Sequence, residues 1–178
     1  MILWLHGAFG AGKTSVAAEL RARRPELVPY DPEVLGYLLM RSLPVPTGDF
    51  QDLPEWRELV ATTGAVLDAG GRRQLLTPMT LLRQQYAREV LGGLADRGVR
   101  VRSVLLDVAA DELRRRIAGD ESPEHGDAVA RVRAWREGHV AGYLAAREWL
   151  LPLADHVVDT TALSVAQVAD QVLAGVHS

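Results

Sequence analysis

Gly7-Ala8-Phe9-Gly10-Ala11-Gly12-Lys13-Thr14 combines three glycines, a lysine and a hydroxyl at the spacing G-x-x-x-x-G-K-[ST]. Such a loop is suited to polyphosphate. Glycine allows the turns and the close approach that let successive backbone N–H groups point at phosphate oxygens. The positive end of a following helix adds to the attraction. Lys13 can reach the β and γ phosphates, and the Thr14 hydroxyl can ligate Mg²⁺, with Ser15 beside it. Gly7 to Ser15 is therefore the expected ATP-binding segment, with Thr14 as the metal ligand. Lys13 is also the single lysine among 20 basic Lys and Arg residues, so the position that suits a compact ammonium keeps one while every other cation is arginine.

Further residues are candidates for chemistry, each with a plainer alternative. Asp31 can be the general base that accepts a substrate hydroxyl proton, or the N-cap of a helix opening at Pro32. Asp107 can hold Mg²⁺ through water, or help to start the next helix. Arg116 can neutralise charge on a transferring phosphoryl group, or belong to a solvated run of three arginines. Trp56 is either core or a ligand contact, and Arg41 and Arg57 are candidate anchors. His6 is expected to be structural, beneath the loop. Thr160 and Thr161 either border adenine or serve as caps.

Elements must hold these residues in place. Met1 to Leu5 is an apolar run that reads as a buried strand, and Val16, Ala17 and Leu20 give the helix after the loop one apolar face. Leu27 to Tyr30 reads as an edge strand because Pro29 lacks a ladder donor. Asp31-Pro32-Glu33 opens a helix whose apolar residues are Val34, Leu35, Leu38 and Leu39. Leu43 to Leu53 is a long loop of the kind used as a lid or binding segment, with Asp49 and Gln51 as its substrate-side candidates. Asp52 and Glu55 have capping-box spacing ahead of a helix through Trp56, Val60 and Leu67.

A second such alternation follows. Arg73 to Thr77 reads as a strand, Leu82 to Asp96 as a helix, Val99 to Leu106 as a strand and Ala109 to Ala118 as a helix. Gly119 to Asp127 is a polar loop within an expected lid region of about 115–137. Ala128, Val132 and Trp135 share a face of a helix that runs on to Leu151. His156 to Asp159 is a last strand, and Ser164 with Gln167 caps a last helix. Strand and helix alternate throughout, which predicts a three-layer α/β/α P-loop domain with a mostly parallel five-stranded sheet and ligand at the carboxyl ends of the strands.

Composition narrows the class. The 178 residues suit one domain, residues 1–178, and 48% hydrophobic with 24% charged residues is ordinary for a globular protein. A net charge of −3 argues against a nucleic-acid footprint and for a small anionic ligand. Without cysteine there is no disulfide framework or thiolate site, and no run approaches a membrane span or signal peptide, so a cytoplasmic protein is expected. The absence of a second lysine removes the Asn-Lys-x-Asp segment of a guanine-reading GTPase. The length leaves no room for the extra helical domain of ring-forming ATPases. What remains is a nucleoside- or nucleotide-kinase-like protein of the small-molecule kinase class.

Ile2 to Thr14, Tyr30-Asp31-Pro32-Glu33, Arg41-Ser42, Asp49-Phe50-Gln51, Pro54, Trp56-Arg57, Pro78-Met79-Thr80 and Asp155-His156 resemble, in the same order, the TmrB-type tunicamycin-resistance ATP-binding proteins. The resemblance spans nearly the whole chain and is more distantly similar to antibiotic and sugar kinases such as chloramphenicol phosphotransferases. It implies ATP and Mg²⁺ as cofactors and protection against a uridine-containing nucleoside antibiotic, by phosphorylating it or by sequestering it. A housekeeping kinase is the remaining alternative. Two departures stand out. Members of that family carry arginines just after the position of Arg116, where this chain has Ala118, Gly119 and Asp120, so that Arg131 or Arg133 is expected to substitute. Longer members also have a basic amphipathic tail, whereas this chain stops at Ser178, and membrane association is not carried over.

Overall fold

The computed structural model describes residues 1–120 and 128–176. Five strands form one parallel sheet: β1 (Ile2–Gly7), β2 (Val28–Pro29), β3 (Leu75–Pro78), β4 (Val101–Asp107) and β5 (His156–Asp159), in the order β2-β3-β1-β4-β5. The sheet is all-parallel, and the strand carrying the phosphate-loop pattern lies at its centre. Val28–Pro29 is the expected edge strand. Parallel strands need covered faces. On one face Leu3, Leu5 and Leu76 pack against Val16 and Leu20 of α1 (Lys13–Arg23) and Val168 and Val172 of α8 (Val165–Val176). On the other, Ile2, Trp4 and Leu75 meet Trp56 and Val60 of α3 (Pro54–Asp68) and Val90 and Leu94 of α4 (Gln84–Asp96). Further along that face, Leu105 packs with Leu113 and Ile117 of α5 (Ala110–Ala118) and with Tyr143 and Leu150 of α7 (Val140–Leu153).

Several boundaries differ from the sequence reading. α2 (Pro32–Met40) does not bury Val34 and Leu38, which are 61% and 57% exposed. It turns inward instead the stripe Pro32, Leu35, Gly36 and Leu39, because Phe50 packs on Gly36 closely enough that any Cβ there would lie 2.4 Å from the ring. Asp52 does not cap α3. Leu53 is the N-cap, while Asp52 sits in a short 3-10 turn (Phe50–Asp52) and accepts a hydrogen bond from Tyr86 Oη at 2.7 Å. The helix expected from Ala128 to Leu151 divides at His139 into α6 (Val129–Gly138) and α7. α6 buries none of its residues, and Trp135 is 49% exposed. The Ser164 cap forms as read, with Gln167 N donating to Ser164 Oγ at 3.3 Å and Ser164 N to Gln167 Oε1 at 2.9 Å. The polar loop expected over Gly119 to Asp127 lies, beyond Asp120, outside the described residues.

Candidate functional site

The loop between β1 and α1 is tied down at its two alanines. Ala8 and Ala11 are 1% and 2% exposed and join the cluster of Leu113 and Ile117. Gly10 has φ 88°, and a Cβ there would come within 2.9 Å of Ile117. Gly12, with φ 89°, is the N-cap of α1, and open space surrounds the position of its missing Cβ, so only backbone conformation requires glycine there. No side chain caps α1, which leaves its first N–H groups to the loop.

Lys13 Nζ donates to the carbonyls of Ala8 (2.7 Å) and Gly7 (3.2 Å) and lies 5.7 Å from the centre of the Phe9 ring. Burial lowers its pKa to about 7; Glu33 opposes that shift and Arg136 adds to it. Thr14 and Ser15, in the first turn of α1, are exposed. Beneath the loop His6 is buried and stacked on Trp4, with neither ring nitrogen hydrogen-bonded, and burial, followed by the Lys13 charge, lowers its pKa to about 3. It is a neutral, structural residue.

Two cavities flank the loop. One, of about 510 Å³, lies beside Ala11, Gly12 and Val16 and is lined on its other side by Arg116 and the segment Thr160 to Val165. Arg116 donates from Nε to Glu112 (2.7 Å), from Nη1 to Thr160 Oγ1 (3.1 Å) and from Nη2 to the Thr160 carbonyl (2.5 Å). The hydrogen bonds from Arg115 and Arg116 hold the Glu112 carboxyl at about 2. Arg116 is therefore half-buried and tied to Glu112 and Thr160 at the cavity edge rather than free in a solvated arginine run. Arg136, which sequence reasoning missed, is the arginine whose charge Lys13 feels, and it is ion-paired with Asp120. Arg133 donates to the Asp120 carbonyl at 2.8 Å.

The other cavity, of about 670 Å³, opens on the Phe9 side between α2, the Thr47 to Gln51 segment and the α6–α7 junction. Glu33 lines it, and burial followed by the neighbouring Asp31 charge raises its pKa while Lys13 lowers it. Its place two residues after Asp31 was the available signal. Asp31 is exposed, and its Oδ1 accepts from Glu33 N at 2.9 Å, which is the N-cap geometry. Asp49 lies on the cavity wall with Oδ1 accepting from Gln51 N at 2.9 Å. Gln51 lines the same wall, but its amide donates to the Thr80 carbonyl (3.0 Å), and Thr80 Oγ1 donates to the Gly7 carbonyl (2.9 Å). Pro78-Met79-Thr80 thus ties this wall to the phosphate loop, with Trp4 Nε1 donating to the Met79 carbonyl at 3.2 Å.

Three expected contacts are displaced. Trp56 is fully buried with Nε1 on the Pro32 carbonyl (3.0 Å), so it fixes the start of α2 and has no surface for a ligand. Arg57 is 7% exposed, ion-paired with Glu89, bonded to the Gln51 carbonyl (2.5 Å) and stacked on Tyr86 (4.2 Å); it supports the cavity wall from behind. Arg41 is exposed at the C-cap of α2 and does not line the cavity. Asp107 neither caps α5, whose N-cap is Ala109, nor faces the loop freely: Arg147 grips both its oxygens (2.9 and 2.8 Å) and Tyr143 Oη donates at 2.6 Å. Thr160 lines the first cavity, with N and Oγ1 both donating to the Asp107 carbonyl.

A central parallel strand ending in this loop, with a cavity on either side, defines a P-loop protein of the kinase-like kind. A family model described as an AAA domain matches residues 2–141, and the chain belongs to that family. Nucleotide binding follows from membership. Among solved structures, the tunicamycin resistance protein of Deinococcus radiodurans is similar at 27% identity and a TM-score of 0.71, with 98% of this chain and 94% of that one covered. A sugar kinase from Janibacter sp. HTCC2649 (19% identity, TM-score 0.64, 99% and 94% covered) and the APS kinase of Mycobacterium tuberculosis (17%, 0.65, 99% and 97%) share the fold. A search of curated proteins finds no match. No helix among the described residues is long and apolar enough to cross a membrane.

Proposed function

We propose that this protein is an ATP-dependent phosphotransferase acting on a hydroxyl of a nucleoside-like small molecule, the antibiotic tunicamycin being the first candidate. The observation that carries the reading is the phosphate loop set between two cavities, one on its Gly12 side and one on its Phe9 side. A transferase needs donor and acceptor on opposite sides of the group that moves. The loop fits ATP: Gly10 and Gly12 hold the left-handed conformation that turns N–H groups inward, and the first turn of α1 presents Thr14. When bound, ATP supplies the γ-phosphoryl group. Lys13 would leave the Ala8 and Gly7 carbonyls for the β and γ phosphates, and Thr14 would hold Mg²⁺. Arg116 and Thr160 would wall the nucleoside, while Arg136 takes the role of lid cation expected of Arg131 or Arg133. Asp31 or Glu33 would accept the acceptor's hydroxyl proton as its oxygen bonds to phosphorus and the bond to the ADP oxygen breaks.

Sequestration without chemistry is the second reading. Asp107, the strand-end acid that would assist Mg²⁺ through water, is committed to Arg147 and Tyr143, and Asp31 to its cap. The similarity to a resistance protein is compatible with either reading. Mass spectrometry of tunicamycin incubated with protein, Mg²⁺ and ATP separates the two. A gain of one phosphate is expected; unchanged drug bound one-to-one would leave sequestration, and neither binding nor modification would leave a kinase for another acceptor.

A further inference from the structure

Lys13 rests on two carbonyls that it would give up to phosphate, and each of them has a second donor in place. Lys13 Nζ donates to the Ala8 carbonyl at 2.7 Å and to the Gly7 carbonyl at 3.2 Å. The Ala8 carbonyl also accepts from Ala11 N at 3.2 Å, within the loop. The Gly7 carbonyl accepts from Thr80 Oγ1 at 2.9 Å, a side chain 73 residues away. Gly7 and Ala8 are buried, so solvent is poorly placed to replace a donor that leaves, and a buried carbonyl without one is costly.

Thr80 is built into this place. It is 2% exposed and lies just beyond the end of β3. Met79 N donates to the Leu5 carbonyl at 3.2 Å, which carries the β1–β3 register past Pro78. Two residues further along β1, at Gly7, the Thr80 hydroxyl stands in for a backbone donor. The Thr80 carbonyl accepts from Gln51 Nε2 at 3.0 Å, and the Met79 carbonyl accepts from Trp4 Nε1 at 3.2 Å. None of these bonds involves Lys13, so the hydroxyl keeps its position when the lysine moves.

Resting on the movement of Lys13 in the reading above, we infer that Thr80 is a positioning residue for nucleotide binding: its hydroxyl keeps the Gly7 carbonyl satisfied while Lys13 leaves for phosphate. Without that hydroxyl, ATP would draw Lys13 away from a buried carbonyl with no other side-chain donor, and the cost would fall on the bound state alone. A hydroxyl with only a structural role would contribute equally with and without ATP.

Calorimetry with Mg²⁺ and ATP, together with thermal melts of the ligand-free protein, tests this as a double-mutant cycle. Thr80→Val is close in shape and lacks the donor. It should weaken ATP by about 5- to 100-fold and shift the ligand-free melt little, because Lys13 still serves Gly7. Thr80→Ser, which retains the hydroxyl, should bring affinity back to near wild type. In a Lys13→Ala chain the pattern should invert. Gly7 then depends on Thr80 with or without ATP, so adding Thr80→Val should lower the melt by several degrees and leave ATP affinity where Lys13→Ala put it. Weakening by Thr80→Val that persists in full in the Lys13→Ala chain, or a Thr80→Ser variant as weak as Thr80→Val, would overturn the inference. If Lys13→Ala weakens ATP while Thr80→Val does not, this inference alone fails; if the wild type binds no ATP, the ATP reading fails and takes the inference with it.

Discussion

Lys13 holds a charge that its surroundings disfavour. With its pKa lowered to about 7 by burial, it is largely neutral at pH 8, whereas contact with polyphosphate favours the ammonium. ATP binding above pH 7 should therefore take up a proton, and affinity should fall as pH rises from 7 to 9. Calorimetry in buffers of different ionisation enthalpy reads both effects. Lys13→Ala should weaken ATP by about 10- to 100-fold, the worth of a charge-assisted hydrogen bond, and should abolish the proton uptake; unchanged affinity in a folded variant would remove Lys13 from the site. For the acceptor side the informative residue is Asp31. Asp31→Asn keeps the cap, since Asn caps as well as Asp, and should leave the melt unchanged while turnover falls at least a hundredfold. Asp31→Ala should in addition cost about 1 kcal/mol of stability. Full turnover in the Asn variant would shift the base to Glu33, where Glu33→Gln should then show the loss. At this scale the loop was legible because its residue types are dictated by local chemistry. Glu33, Thr80 and Arg136 were not, because their roles come from neighbours 20 to 123 residues away from Lys13 or Gly7 along the chain.

Among elements, α2 is positioned by a contact that no periodicity shows. Alanine is the better helix former by about 1 kcal/mol, yet Gly36→Ala should destabilise the protein by about 1–3 kcal/mol, because its Cβ would overlap Phe50. Urea melts check the sign, and Phe50→Leu in the same chain should restore part of the loss. A stabilised Gly36→Ala would mean that Phe50 moves aside readily. α6 lies at the other extreme. With none of its residues buried, its amides should exchange orders of magnitude faster than those of β1 and β4, and more slowly once ATP is added. Exchange in α6 that is equal with and without ATP would deny it a lid role. Strands were readable from unbroken apolar runs such as Ile2 to Leu5. The exposed stripe of α2 was not foreseen because an apolar pattern on a short helix does not say which side meets the core, and here a glycine does.

On the scale of the whole molecule, alternation of strand and helix led directly to the all-parallel sheet, since each crossover must return the chain to the same end. The two cavities could not be foreseen in that way: each is walled by segments from several distant parts of the chain, as where Phe9, Glu33, Met79 and Trp135 line one of them. The composition has a practical side that this architecture makes useful. Lys13 is the one side-chain amine in the protein, so acylation or reductive methylation of side-chain amines can fall only there. Isotopic methylation would thus put a single side-chain reporter at the centre of the phosphate loop, its resonance sensitive to ligands entering from either side, with no mutation required. Protection of that amine by nucleotide would be readable as a footprint in an ordinary mass spectrum.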